Sequence, residues 1–176
     1  MTSKFLAPAA DVALVAEHRI EGYASVFGLR DRGGDIVMPG AYAASLKRMA
    51  ARGDRVRLLW QHDPAQPIGI WDEVFEDAHG LFVRGRLLED VARAREARAL
   101  LAAGAVDGLS IGSRTLRAEP LPGSGRRLIE LDLWEVSLVT FPMQAEARLS
   151  AKADALMRLG ALRRQMRDAR AAVARF

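Results

Sequence analysis

The sequence predicts a mainly β domain of the α+β class, an antiparallel sheet closed or nearly closed on itself with helices set among its strands. Three observations carry this expectation. Several runs alternate apolar and polar residues and are joined by short, turn-rich connections. Two segments between them have helical spacing instead. The regular strand-helix-strand alternation of a parallel sheet is missing. With 176 residues, half of them hydrophobic, the chain can bury roughly two-thirds of the surface its unfolded form exposes, so one ordinary domain is expected.

Each element has its own reason. Residues 1–18 show no clear period and read as an extension. Residues 19–27 alternate, with Ile20, Gly22, Ala24 and Val26 on one face. A loop over 28–34 leads to Pro39, which opens a helix bearing Tyr42, Leu46 and Met49 on one stripe and Gly53 as its C-terminal cap. Strands follow at 55–61, 68–75 and 81–88, the last two joined by a turn in which Gly80 supplies a positive φ. Asp90 reads as the N-cap of a second helix with a Val91, Ala94, Ala97 and Leu101 stripe ending at Gly104. Two longer strands, 108–118 and 126–140, flank a Pro- and Gly-rich turn. From about Gln144 the pattern is helical, and Leu159, Leu162, Met166, Ala169, Val173 and Phe176 form a short heptad-like stripe.

Composition excludes several chemistries. Without cysteine there is no disulfide framework, cysteine-held zinc or iron–sulfur site, or thiol nucleophile. Only His18, His62 and His79 are available for metal or proton chemistry. No apolar run approaches the ~18 residues of a membrane span and the start lacks a signal-peptide core, so a cytoplasmic protein without membrane attachment is expected. The net charge of +4 is unevenly spread, with −1 over residues 1–145 and +5 over residues 146–176. The basic tail has three readings: a solvated helix, a helix that docks on a partner, and nucleic-acid binding, the weakest because no aromatic residues interleave its arginines.

The first chemical signal is Gly108-Leu109-Ser110-Ile111-Gly112, a GxSxG match. Flanking glycines would let a substrate backbone approach the Ser110 hydroxyl and leave amides free for a developing oxyanion. An α/β-hydrolase is excluded because all three histidines precede Ser110, whereas that triad needs one after the serine. His62 ends an apolar strand, a rigid place for a general base. His79 sits in a turn and His18 lacks an apolar frame. Glu135 alternates with Leu131, Leu133, Ser137 and Val139, and a carboxylate on such a face needs a partner, which His62 would supply. The alternatives are an arginine salt bridge, or an inverted face with Asp132 and Trp134 pointing inward. Asp63 and Asp107 adjoin the proposed catalytic groups and are poorly placed to reach behind the imidazole.

Seven blocks then fall into one order: EGYASVF at 21–27, DIVMPGAY at 35–42, LWQHD at 59–63, PIG at 67–69, GL at 80–81, GLSIG at 108–112 and EVSLVTFP at 135–142. In this order they resemble the prohead (capsid maturation) serine proteases of tailed phages, relatives of the herpesvirus assemblins, over roughly residues 20–148. The resemblance implies an assemblin-like barrel surrounded by helices, with a protease domain at 19–147 and a basic helical tail at 148–176. It makes Ser110 the nucleophile, His62 the general base and Glu135 the third member, where the assemblins carry a second histidine. It puts oxyanion donors near Met143 and Gln144. The expected function is a serine endopeptidase that cleaves major capsid protein or scaffold inside a procapsid through an acyl-enzyme, without metal or cofactor, with self-association and self-processing. The alternative is an inactive assembly protein that keeps the fold.

Overall fold

Alternation along the chain is realised in long, paired strands. The structure, a computed structural model, describes residues 13–16 and 18–148. Along them run β1 (Ala13–Ala16), β2 (Arg19–Val26), β3 (Ile36–Val37), α1 (Ala43–Arg52), β4 (Arg57–Trp60), β5 (Asp63–Glu76), β6 (Gly80–Leu87), α2 (Ala92–Ala102), β7 (Gly108–Pro120) and β8 (Arg126–Val139). All eight strands join one sheet in the order β1-β2-β6-β5-β4-β8-β3, with β7 also on β8. The fold is mainly β with two helices, and the sheet curls until β7 comes against β2, at the far side of the strand order. Among the described residues no hydrogen-bonded ladder joins β7 to β2, so where a closed or nearly closed barrel was expected the sheet is a curled half-barrel.

The sheet is also mixed rather than antiparallel. Both β3 and β4 pair with β8 in parallel, Arg57 opposite Glu135 and Leu59 opposite Ser137. Alternation marks a strand but carries no direction, and partners this distant in sequence leave no hairpin signal. Between β3 and β4 the edge of β8 is completed by the turn before α1 and the first turn of that helix: Leu131 N–H donates to Ala41 O and Leu133 N–H to Ser45 Oγ. Ser45 is buried for this reason, beside Tyr42 and Met49 of the expected stripe.

Five further expectations are corrected. The segment read as an extension contributes β1, antiparallel to β2. Pro39 lies in turns ahead of α1, which starts at Ala43 and ends on left-handed Gly53 as read. Val91, not Asp90, is the N-cap of α2, because a turn from Leu88 to Val91 uses Asp90 inside it. Gly80 has no positive φ. It is required because the Ser25 carbonyl and Val26 Cα lie where its Cβ would be, the latter at 3.1 Å. Residues 144–148 are turn and bridge rather than helix, with the Ala147 carbonyl accepting the Leu109 N–H at 2.8 Å. The heptad-like stripe lies outside the described residues.

One core holds these elements together. Ile20, Leu58, Ile68, Leu81, Val83, Leu109, Val136 and Leu138 are essentially inaccessible, with Ala94, Ala97 and Leu101 of α2 packed into the same cluster. At roughly 1.5–3 kcal/mol per large apolar side chain, such burial fixes the frame on which the polar residues of β7, β8 and the β4–β5 turn are carried.

Candidate active site

The polar residues are aimed by a defect in β8. Gly112 pairs with Glu135 and Ser113 with Leu133, so Trp134 has no partner and forms a bulge. Before the bulge Leu131 and Leu133 enter the core; after it Val136 and Leu138 do. Glu135 and Ser137 are thereby turned to the face opposite the core, away from Leu131 and Leu133, with which simple alternation had grouped them. Trp134 itself is half exposed. Across the ladder, Gly108, Ser110 and Gly112 share the face of Val139, Ser137 and Glu135.

His62 arrives from the other edge of β8. Gln61 and His62 form a two-residue turn between Trp60 and Asp63, with φ of 52° and 62°. Two consecutive left-handed residues make a type I′ hairpin turn, normally Asn-Gly, and neither side chain here is glycine. That conformation costs about 1–2 kcal/mol per residue, and the turn is held down by four bonds to β8 and its end. Gln61 N–H donates to Leu138 O (2.9 Å), its side-chain amide to Thr140 Oγ1 (2.8 Å), Thr140 N–H to Gln61 Oε1 (3.3 Å), and His62 N–H to Ser137 Oγ (3.2 Å).

So held, His62 puts Nδ1 2.6 Å from Glu135 Oε1. The carboxylate is buried, 5% exposed, while the imidazole is 42% exposed. The second carboxylate oxygen accepts the Ser137 hydroxyl. With Nδ1 occupied, Nε2 is the imidazole nitrogen left for another group. Ser110 is buried and lies directly across the ladder from Ser137. Among the described residues no hydrogen bond joins its hydroxyl to His62. The geometry therefore unites His62 with Glu135 as read, and brings Ser110 beside them through Ser137.

The glycines of GxSxG have a different role from the one expected. A methyl group on Gly112 would fall 2.5 Å from Glu135 Cγ, and one on Gly108 would fall 2.8 Å from Pro142 Cδ. The empty Cβ positions are filled by the protein itself. Nor are the nearby amides free, since Leu109 N–H is bonded to Ala147 O, and alternation then turns the Ser110 amide toward Ser137 in the ladder. Of the residues near the expected oxyanion loop, Gln144 is committed through its side chain to the backbone of Val26 and Leu29, and the Met143 carbonyl to Arg32 N–H.

The rival groups are spoken for elsewhere. Asp132 pairs with Arg48 at 3.0 Å, and the Arg48 hydrogen bond holds its carboxyl below the ordinary carboxylate value. Asp107 is gripped by Arg148 and Asp63 accepts the Ala65 N–H. His79 stacks edge-on against Tyr23, and His18 pairs with Glu89. Sequence reasoning missed Ser137, Gln61 and Thr140. The signal for Ser137 was a hydroxyl two residues beyond Glu135 in an otherwise apolar run.

The fold is shared with solved structures of two viral proteases. The bacteriophage T4 capsid assembly protease has a TM-score of 0.56 with this chain at 14% identity, covering 69% of this chain and 81% of that one. Varicella-zoster virus protease has a TM-score of 0.50 at 14% identity, covering 84% and 76%. The family described as caudovirus prohead serine protease matches residues 8–159, and the chain belongs to that family. The prohead protease of Enterobacteria phage HK97 is 35% identical over 134 residues, 74% of this chain and 58% of that protein. The capsid polyprotein of Pseudomonas phage PAJU2 is 34% identical over 103 residues, 54% of this chain and 15% of the polyprotein. The chain thus spans less than two thirds of the length of the HK97 protease and of the PAJU2 polyprotein.

Proposed function

We propose that the protein is a serine endopeptidase that cleaves capsid or scaffold protein during prohead maturation, inside the assembling particle. The observation that carries this reading is the buried Glu135 carboxylate 2.6 Å from His62 Nδ1. A carboxylate on Nδ1 fixes the tautomer, leaves Nε2 as base and stabilises the imidazolium formed when it takes a proton. Ser110 Oγ attacks the scissile carbonyl as Nε2 removes its proton; the imidazolium then protonates the leaving amine. Water, deprotonated by the same nitrogen, releases the acyl group from Ser110. The approach of Ser110 and His62 tightens when substrate is bound, as catalytic hydrogen bonds commonly do. The resemblance to the assemblins puts the oxyanion donors on the chain after β8, near Met143 and Gln144.

Capsid substrates are supported by the names of the two relatives, a prohead protease and a capsid polyprotein. Residues 19–147 are the protease domain. The basic segment 148–176 serves as the docking tail toward scaffold or coat chains, and the chain self-associates in the particle. Co-expression with the neighbouring capsid gene, followed by mass spectrometry of the coat N-terminus, tests the assignment. Shortened coat protein with the wild type and full-length coat protein with Ser110→Ala are expected. Cleavage that survives Ser110→Ala would sink the serine mechanism, and uncut coat protein in both would favour an inactive assembly protein.

A further inference from the structure

Ser137 is wholly buried, and its hydroxyl is the only group that touches both the turn carrying His62 and the carboxylate facing it among the hydrogen bonds of the described residues. Its oxygen accepts the His62 main-chain N–H, its proton goes to Glu135 Oε2, and Glu135 Oε1 meets His62 Nδ1. These three contacts close a ring that begins on the backbone of His62 and returns to its own imidazole. A ring of this kind fixes two things at once. It holds the strained turn against β8, and it orients the carboxylate so that one oxygen is spent on the hydroxyl and the other is left for the imidazole. Without the hydroxyl, Glu135 would have one oxygen buried and unpartnered and would be free to rotate off Nδ1.

We infer that Ser137 is a positioning residue that locks His62 and Glu135 into one unit. This inference rests on the serine-protease reading above. Ser137 touches no reacting atom; it acts through the base and the group that orients it. A hydroxyl is needed rather than mere bulk, because it must accept from an amide and donate to a carboxylate at the same time, which alanine cannot do and a thiol does weakly.

The test uses the full chain in procapsids obtained by co-expression with its capsid precursor. A fluorophosphonate probe is added, and the rate of Ser110 modification is followed by mass spectrometry. Ser137→Ala and Ser137→Cys are expected to be labelled at least about tenfold more slowly than wild type, and Ser137→Thr, which keeps the hydroxyl, within about threefold. In a Glu135→Gln background, Ser137→Ala should slow labelling by less than about twofold more, because the two residues act as one unit. If Ser137→Ala does not fold, the volume-matched cysteine variant carries the comparison. Labelling of the alanine or cysteine variant at the wild-type rate overturns the inference. So does a full tenfold further loss in the Glu135→Gln background, the outcome of a general loosening of β8. Wild type unlabelled at Ser110 overturns the serine-protease reading itself, a result distinct from either.

Discussion

Asp132 and Glu135 stand three residues apart on one strand and have opposite fates. Asp132 lies outside, a third exposed, between the guanidinium groups of Arg48 and Arg114. Glu135 is sealed from water and is held by an imidazole and a hydroxyl. Between them lie Leu133, which enters the core, and the unpaired Trp134 of the bulge. The first carboxylate is an interchangeable surface charge in a high-dielectric setting; the second is a buried charge whose loss of either partner would be costly. One unpaired residue thus separates a structural half of β8 from a chemical half.

The comparison breaks most completely at Glu135→Gln, which keeps the shape of the side chain but not its charge. It is expected to slow coat cleavage about 10³- to 10⁴-fold while the melting temperature falls only a few degrees. Gly112→Ala drives a methyl into the Glu135 carboxylate, and about 1–3 kcal/mol of stability and roughly tenfold or more of the Ser110 labelling rate should go with it.

The smallest effect belongs to Asp132→Asn, which should leave cleavage unchanged and shift the melting temperature by no more than about 2 °C, less in high salt. Its pH dependence has a definite sign. Arg48 lowers the Asp132 pKa below 3.8, so the stabilisation is complete above that value and is lost as pH falls through the lowered one. The gap between wild type and Asp132→Asn should therefore close on acidification below about pH 3.8 in thermal melts.

Much of this architecture could be read from the residues, and the failures have physical causes. The stripes of α1 and α2, the long strand at 126–140 and the pairing of His62 with Glu135 follow from periodicity, from the cost of a lone buried carboxylate and from the family blocks. Strand direction did not follow, because the paired residues of β4 and β8 are 78 positions apart and alternation is blind to polarity. The register of β8 was hidden because Trp134 is an ordinary strand residue by composition, so its bulge leaves no mark in the sequence. The resumption of β5 at Asp63 was masked by Pro64 and Pro67, which lack the ladder donor that a strand usually offers. Ser137 was named only as one member of a face, because its role exists only once His62 is folded back onto β8.

The Gln61-His62 turn sets stability against function. Its two left-handed residues would be more relaxed as Asn or Gly at position 61. Selection for thermal resistance would therefore favour replacing Gln61, and each such replacement would weaken the grip on Thr140, since glycine has no side-chain amide and that of asparagine is one methylene short. Variants enriched for heat tolerance should thus accumulate changes at position 61, yet hold the imidazole less firmly. The bent hinge between β4 and β5 is where a thermostability screen and a turnover screen would choose different amino acids.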